Sequence, residues 1–193
     1  SRDLLAKSAQ EMRNLRGRDI SMIFQEPMTS LNPTMKVGKQ LMEVFAVHSE
    51  KYLKDEAQNK VLEVLKSVGL NDSRRVFDSY PHELSGGMRQ RAMIAMAMLL
   101  RPKLLIADEP TTALDVTVQK QILDMLIELK EREGGQKMSI LFITHDLELA
   151  RHFCDRIAVM KDGAIVEQGE AARVMDEPSH EYTKRLIEAG GGG

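Results

Sequence analysis

Residues 104–109 read LLIADE, four apolar residues followed directly by two carboxylates. A short apolar run of this kind predicts a strand buried inside a parallel sheet. Adjacent residues on an extended chain point in different directions, so the two carboxylates can do different jobs. Carboxylates such as Asp108 and Glu109 can bind a divalent cation or polarise a water molecule. The alternative is a solvated acidic pair at a strand end, which the dipeptide alone favours.

Other short apolar runs, rich in β-branched residues, also predict strands, and helical stretches separate most of them. This alternation is typical of an α/β fold with a parallel sheet. The Asp162-Gly163 pair between two such runs predicts an antiparallel hairpin after the core. No convincing strand pattern occurs between about residues 26 and 100, which are predicted to form an inserted helical lobe. The further strands are predicted at 20–24, 139–144, 156–160 and 164–167.

Two helices have recognisable ends in the sequence. Asp55 and Gln58 have the spacing of a capping box, and Gly69 is placed to stop the helix that follows them. Asp115 is placed to cap a second helix that ends near residues 134–135.

Polar side chains follow three of the predicted strands. Gln25 follows the first, Asp108 and Glu109 the second, and His145 the third. Ligands of open parallel α/β sheets bind beyond the carboxyl ends of the strands. We therefore expect these groups to face one site, although any one of them alone is a weak indication.

Ser85-Gly86-Gly87 opens a helix-forming run that continues to Leu100. Glycines allow close approach to a phosphate, and a helix start offers unpaired N–H groups and a positive dipole end. The alternative is an ordinary serine cap with a glycine turn. Arg89 and Arg91 are interpreted as packing or surface charges rather than phosphate ligands.

The composition is that of a globular protein: 193 residues, 42% hydrophobic and 29% charged. The net charge of −2 gives no field that favours nucleic acid or anionic lipid. Cys154 is the single cysteine, which excludes an internal disulfide and fits a reducing compartment. No apolar run approaches the roughly 18 residues that span a bilayer, so a membrane link is expected through a partner. Residues 190–193 are interpreted as a glycine tail.

Taken in order, these residues resemble the motifs of an ABC ATPase. Residues 84–90 match the signature motif, 104–109 the Walker B strand and 113–115 the D-loop, while Gln25 matches the Q-loop and His145 the switch histidine. The residues of three further segments resemble those of the oligopeptide, dipeptide and nickel importers. Peptide is favoured over nickel as the transported solute. The segments that carry this finer resemblance are 24–33, 80–83 and 178–183.

The resemblance implies a P-loop NTPase-like (RecA-like) parallel sheet core with an inserted α-helical lobe. It implies ATP and Mg²⁺ as cofactors, Glu109 as the catalytic carboxylate and His145 as a contact to the γ-phosphate. Gln25 and Asp108 would serve Mg²⁺. The residues expected to bind nucleotide are Gln25, Ser85, Gly86, Gly87, Gln90 and Asp115. An iron–sulfur centre, which some relatives carry, is not expected because Cys154 is alone.

The same resemblance implies partners and a location. A second ABC ATPase subunit would share each nucleotide, and permease subunits would contact the Q-loop and helical lobe. An extracytoplasmic solute-binding protein would act indirectly, and nucleic acid is not expected. The location implied is the cytoplasmic face of the membrane, peripherally bound. The domains expected are 1–25 (core remainder), 26–100 (helical lobe), 101–170 (core), 171–189 (C-terminal helical segment) and the glycine tail.

The sequence departs from this family in one respect, since it contains no G-x-x-x-x-G-K-[ST]. The nearest fragment, 38–40, has Pro33 where the first glycine should stand. The parent protein is expected to be an ATPase and this chain alone to be inactive. Two other interpretations stay open: a non-catalytic interaction module, and a soluble ABC-type ATPase of DNA repair or translation.

Overall fold

The structure is a computed structural model that describes residues 3–24, 31–48, 53–111, 116–131 and 138–190. Gln25, the whole D-loop (113–115) with Asp115, and the predicted end of the second helix near residues 134–135 lie outside the described residues. The chain forms two compact units, residues 1–141 and 142–193.

The first unit contains a sheet and a group of helices. Strand order in the sheet is β1-β2-β3. β1 and β2 pair in parallel, with Ile20 opposite Leu104 and Ile23 opposite Ala107. The elements are α1 (Ala9–Leu15), β1 (Ile20–Ile23), α2 (Val37–His48), α3 (Lys54–Ser67), α4 (Ser73–Asp78), a 3₁₀ turn (Pro81–Glu83), α5 (Gly86–Met98), β2 (Leu104–Asp108), α6 (Val116–Glu131) and β3 (Ser139–Ile143), whose end passes into the second unit.

The described residues between β1 and β2 form α2 to α5 and the short 3₁₀ turn, without a strand. Their core consists of aliphatic side chains that are fully buried. Each such side chain contributes roughly 1.5–3 kcal/mol by leaving water. The residues concerned include Val37, Leu41, Val61, Leu65, Val68 and Ile94.

The predicted capping box of Asp55 and Gln58 is wrong. α3 begins at Lys54, two residues before the start that a cap at Asp55 requires, and its N-cap is Leu53, which makes no side-chain capping bond. Asp55 therefore lies inside the first turn, where its charge can favour the helix dipole without capping a backbone N–H. The predicted stop is confirmed: Gly69 has φ +80° and its N–H donates to the Lys66 carbonyl at 2.9 Å.

The second unit contains a β-hairpin and helices. β4 and β5 are antiparallel, and Asp162 and Gly163 between them have φ of +48° and +79°. Two positive φ angles in succession match the twist of paired strands, so the predicted hairpin is confirmed. Gly190, assigned to the tail, is the last residue of a helix instead. The elements are α7 (Leu147–Phe153), β4 (Arg156–Lys161), β5 (Ala164–Glu170), α8 (Ala171–Asp176) and α9 (Glu181–Gly190).

Candidate nucleotide site

The acidic pair lies where β2 ends. Leu105 and Ala107 are fully buried and anchor the strand in the first unit, while Asp108, its last residue, is half-buried. Because β1 runs parallel beside β2, both strands finish at one edge of the sheet. Asp108 therefore stands at the edge where ligands of parallel α/β sheets bind.

Glu109 has a backbone conformation that is unusual for its residue type. Its φ is +42°, in the left-handed region, and the next residue is Pro110. A side chain with a Cβ costs roughly 1–2 kcal/mol in this region. Such strain persists only where neighbouring groups hold the backbone, and it is common at active sites. Pro110 is buried and Thr111 is only 8% exposed, so the turn after Glu109 is firmly packed.

The start of α5 is an open helix N-terminus. Ser85 is its N-cap, and the Ser85 hydroxyl accepts the Met88 N–H at 3.3 Å. A Cβ added at Gly86 would meet nothing within 4 Å, whereas one at Gly87 would lie 3.0 Å from Val118 Cγ1. The first turn contains no acidic residue. The backbone is thus accessible from outside at Gly86 and packed against α6 at Gly87.

This helix start has the properties that a phosphate requires. The N–H groups of the first turn have no partner within the helix, and the dipole places partial positive charge there. A phosphate can approach because Gly86 carries no side chain and the space beside it is open. Ser85 is exposed and can contribute its hydroxyl. The residues present therefore fit a nucleotide phosphate delivered from outside this chain.

Gln90 was expected among the nucleotide-binding residues, but the structure places its side chain inside the protein. It is 2% exposed, and its amide group donates to the Pro110 carbonyl. A side chain buried in this way does not offer its amide to a phosphate at the surface. Its position instead links α5 to the turn that follows Glu109.

Arg89, within the signature motif, and Arg91, directly after it, both make intramolecular contacts. The Arg91 guanidinium donates to the Val68 carbonyl at 2.8 Å and to Gln121 Oε1 at 3.0 Å, which connects the end of α3 with α6. Arg89 reaches the Pro81 carbonyl at 3.4 Å. These contacts agree with the interpretation of both residues as packing charges.

His145 follows β3 and is exposed within the second unit. The next residue, Asp146, caps α7 by accepting the Leu149 N–H at 3.0 Å, and its own N–H donates to Thr144 Oγ1 at 3.0 Å. The chain at His145 is thereby fixed on its C-terminal side. The role expected for His145 stays a prediction.

The fragment nearest to a phosphate-binding loop is ordinary helix. Gly38 and Lys39 lie in the first turn of α2, and a Cβ at Gly38 would meet the Phe77 ring at 2.3 Å. Gln40 is buried and binds the preceding turn: its Oε1 accepts the Asn32 N–H at 2.8 Å and its Nε2 donates to the Met35 carbonyl at 2.8 Å. This fragment therefore serves packing.

Two side chains that hold distant backbone groups were not predicted from the sequence: Gln40 in the first unit and Glu167 in the second. Glu167 on β5 accepts the Ser179 N–H and hydroxyl, each at 2.8 Å, and the His180 N–H at 3.1 Å. The Thr183 hydroxyl, with these Ser179 donors, lowers the pKa of Glu167 to about 2. The Thr183 hydroxyl is buried and makes no direct hydrogen bond within the described residues, so Ser179 and His180 make the bonds that hold Glu167. An acceptor that pairs over twelve residues leaves no local sequence pattern.

Within the described residues, no group of three or more His, Cys, Asp or Glu side chains could hold a metal ion alone. Asp108 is a single hard oxygen ligand. Mg²⁺ commonly uses one or two carboxylates together with waters and substrate phosphates. Asp108 is therefore compatible with Mg²⁺ bound together with a nucleotide.

An α/β core with an open helix start and an acidic strand end is the arrangement of a nucleotide-binding cassette. Residues 3–112 match the family model described as ABC transporter. The chain belongs to the ABC transporter family, so the recognition made from the motifs is confirmed.

Individual relatives narrow the comparison. The chain is 52% identical to the oligopeptide transport ATP-binding protein OppD of Bacillus subtilis, over 96% of this chain and 51% of that protein. It is also 52% identical to the dipeptide transport ATP-binding protein DppD of Haemophilus influenzae, over 96% and 55% respectively. A third, the peptidoglycan transport ATP-binding protein YejF of Agrobacterium fabrum, is 52% identical over 97% and 34%. The chain therefore spans about half, or less, of these proteins.

A solved structure gives the same assignment. The dimeric post-hydrolysis state of the ATP-binding cassette MJ0796, bound to ADP and Pi, superposes with a TM-score of 0.72 at 29% identity, covering 86% of this chain and 68% of that one. The predicted α/β fold with a parallel sheet is confirmed. Among the helices of the described residues, none is both long and apolar enough to cross a membrane.

Proposed function

We propose that this chain is part of the ATP-hydrolysing subunit that powers an importer of peptides. The observation that carries the proposal is the pairing of two features in one unit: the open start of α5 and the acidic end of β2. The names of the relatives, an oligopeptide and a dipeptide transport ATP-binding protein, support peptide over nickel as the cargo.

Each feature has its own task in this proposal. Glu109 orients the attacking water and takes up its proton, and its constrained backbone fixes the direction of the carboxylate. Ser85 and the N–H groups at Gly86 and Gly87 receive the phosphates of a nucleotide held by a second subunit. Asp108 would hold Mg²⁺, which supplies neutralisation of phosphate charge when bound.

The remaining expected contacts belong to the proposal as well. His145 would contact the γ-phosphate, while Gln25 and Asp115 would contact the nucleotide from their loops. A phosphate-binding loop is required for turnover, and the sequence contains none. We therefore propose that the chain works joined to a segment that supplies a Walker A motif, in a dimer bound peripherally to permease subunits at the cytoplasmic face of the membrane.

The test is Glu109→Gln in a form of the protein that includes a Walker A segment. The amide keeps the shape of the side chain but cannot act as a base, so kcat should fall about 10²–10⁴-fold while ATP is still bound. The variant should accumulate as an ATP-bound dimer in size-exclusion chromatography.

Glu63→Gln, which changes an exposed carboxylate on α3, is the matched control and should leave kcat unchanged. Retention of more than about a tenth of kcat by Glu109→Gln would assign the base elsewhere. If the form with a Walker A segment neither binds nor hydrolyses ATP, the chain is a non-catalytic interaction module. The cargo is tested by reconstitution with the co-purifying permease, where peptides and not Ni²⁺ should stimulate turnover.

A further inference from the structure

Gln90 is a polar side chain in a place that ordinarily holds an apolar one. It is 2% exposed, and its Nε2 donates to the Pro110 carbonyl. Its Oε1 is also buried and has no hydrogen-bond donor among the described residues. Burying an amide is unfavourable unless it is hydrogen-bonded, so the bond to Pro110 accounts for the placement only in part. A leucine or methionine would fill the same space without this cost.

The Gln90 hydrogen bond ends on the residue next to a strained part of the backbone. Pro110 directly follows Glu109, whose φ of +42° is strained, and a residue before proline is sterically restricted as well. Proline has no N–H to donate, so the peptide between Glu109 and Pro110 offers only the Glu109 carbonyl for hydrogen bonding. Gln90 binds the next carbonyl, that of Pro110, and so holds the chain one residue beyond Glu109.

Gln90 belongs to the helix whose start is the open phosphate site. Gly87, Gln90 and Arg91 lie three and four residues apart and thus share one face of α5. Gly87 packs near Val118, and Arg91 donates to Gln121. This face therefore contacts the chain at two places after Glu109: at Pro110, directly after it, and at α6 beyond.

We propose that Gln90 is a positioning residue that holds Glu109 of its own subunit in the orientation for catalysis. The start of α5, at Ser85, receives the nucleotide of the partner subunit. The same helix thereby also orients the Glu109 carboxylate, which acts on the nucleotide of its own subunit. One rigid helix connects the two sites of a dimer, with Gln90 as the contact to the second. This inference rests on the proposed function.

The experiment uses dimers of two differently tagged copies, each with a Walker A segment. In the reference dimer one copy carries Glu109→Gln, so turnover occurs only at the site of the other copy's Glu109. Gln90→Met is then added either to the active copy or to the silenced copy. Methionine preserves the length of the side chain and removes the donor.

In the active copy, Gln90→Met should lower kcat about 10- to 100-fold with KM for ATP little changed, because a displaced catalytic group costs rate and not binding. In the silenced copy it should leave turnover of the other site near the reference value. A loss only when the silenced copy is changed would mean that Gln90 serves the partner's nucleotide, and equal losses would mean a general folding defect. Either result, or no loss at all, overturns the proposal, while a reference dimer without turnover refutes the proposed function instead.

A second measurement does not depend on turnover. Hydrogen exchange of the peptide covering residues 106–111 should be faster in Gln90→Met than in the unchanged protein. Arg91→Met, which removes guanidinium contacts from the same face but none to Pro110, is the matched control and should leave that peptide's exchange unchanged. Equal exchange of this peptide in both variants would overturn the positioning role.

Discussion

Two helix starts in this chain deal with negative charge in opposite ways. The approach to α9 is occupied by the chain's own carboxylate, since Glu167 accepts the Ser179 and His180 N–H groups and the Ser179 hydroxyl. The start of α5 has no acidic residue in its first turn and open space beside Gly86. A helix start prefers an anion in either case. The difference shows how one preference serves internal attachment in one place and leaves an open helix start in the other, the start that we propose receives a phosphate.

The occupied start is closed further by its neighbours. His180 Nδ1 accepts the Tyr182 N–H at 3.1 Å, and the Lys161 ammonium lies 5.1 Å from the centre of the Tyr182 ring. His180 and Tyr182 belong to the 178–183 segment, which resembles that of the oligopeptide, dipeptide and nickel importers. In the second unit this segment attaches α9 to β5, and this attachment gives a structural reason for the residues found there.

The comparison predicts the largest effect when the open start is given its own acid. Gly86→Asp should stabilise the chain, by roughly 0.3–1 kcal/mol from the helix dipole, because acidic residues are favourable in a first turn. The same charge should repel the phosphates, at roughly 4 kcal/mol for charges 4 Å apart near a surface, and weaken ATP binding on the order of 1,000-fold.

Thermal unfolding of the chain measures the gain in stability. ATP titration of a dimer whose copies include a Walker A segment measures the loss of binding. Gly86→Asn is the matched control, with similar shape and no charge, and should weaken ATP binding much less. If Gly86→Asp bound ATP as well as the unchanged protein does, phosphates would not approach this helix start.

A smaller effect should separate two adjacent glycines. Alanine favours a helix by about 1 kcal/mol over glycine, and at Gly86 nothing opposes this gain. At Gly87 the new Cβ would lie 3.0 Å from Val118, and relieving such a contact usually costs about 1–3 kcal/mol.

Gly86→Ala should therefore be more stable than Gly87→Ala by about 1–3 kcal/mol in urea unfolding of the chain. The double variant Gly87→Ala/Val118→Ala supplies the control, since shortening Val118 removes the close contact. Equal stabilities of the two single variants would show that the packed and open sides of this start are not distinct.

The smallest effect concerns the occupied start and its dependence on pH. The folded pKa of Glu167 is about 2, below its ordinary value of 4.5. Because the folded pKa is lowered, the stabilisation is complete above about pH 4.5 and is lost as the pH falls toward 2. Glu167→Gln should lower the melting temperature at pH 6 and flatten its decline over this range.

Glu188→Gln, which changes an exposed carboxylate of α9, should leave the pH profile of the melting temperature close to that of the unchanged chain. Parallel profiles for Glu167→Gln and the unchanged chain between pH 2 and 4.5 would mean that Glu167 does not hold the segment through its charge.

The sequence by itself determined the strands and those helices that have clear local signals, and it located the motifs along the chain. Apolar runs such as 104–107 and the Asp162-Gly163 turn act through neighbours in the chain, so their structure follows from local pattern. The order of the motifs was sufficient to recognise the family. The exact start of a helix was harder to predict than its existence. The capping box at Asp55 was wrong because α3 begins at Lys54.

Only the tertiary structure decided which polar side chains face outward and which hold the fold. Gln90 stands within the signature segment but bonds to Pro110, twenty residues away. Glu167 lies on a strand and binds Ser179, twelve residues later, in the segment that leads into α9. The positive φ of Glu109 likewise has no signal in its residue type. Such contacts depend on how distant segments pack, because hydrogen bonds over long sequence separation form only after the chain has brought their donors and acceptors together.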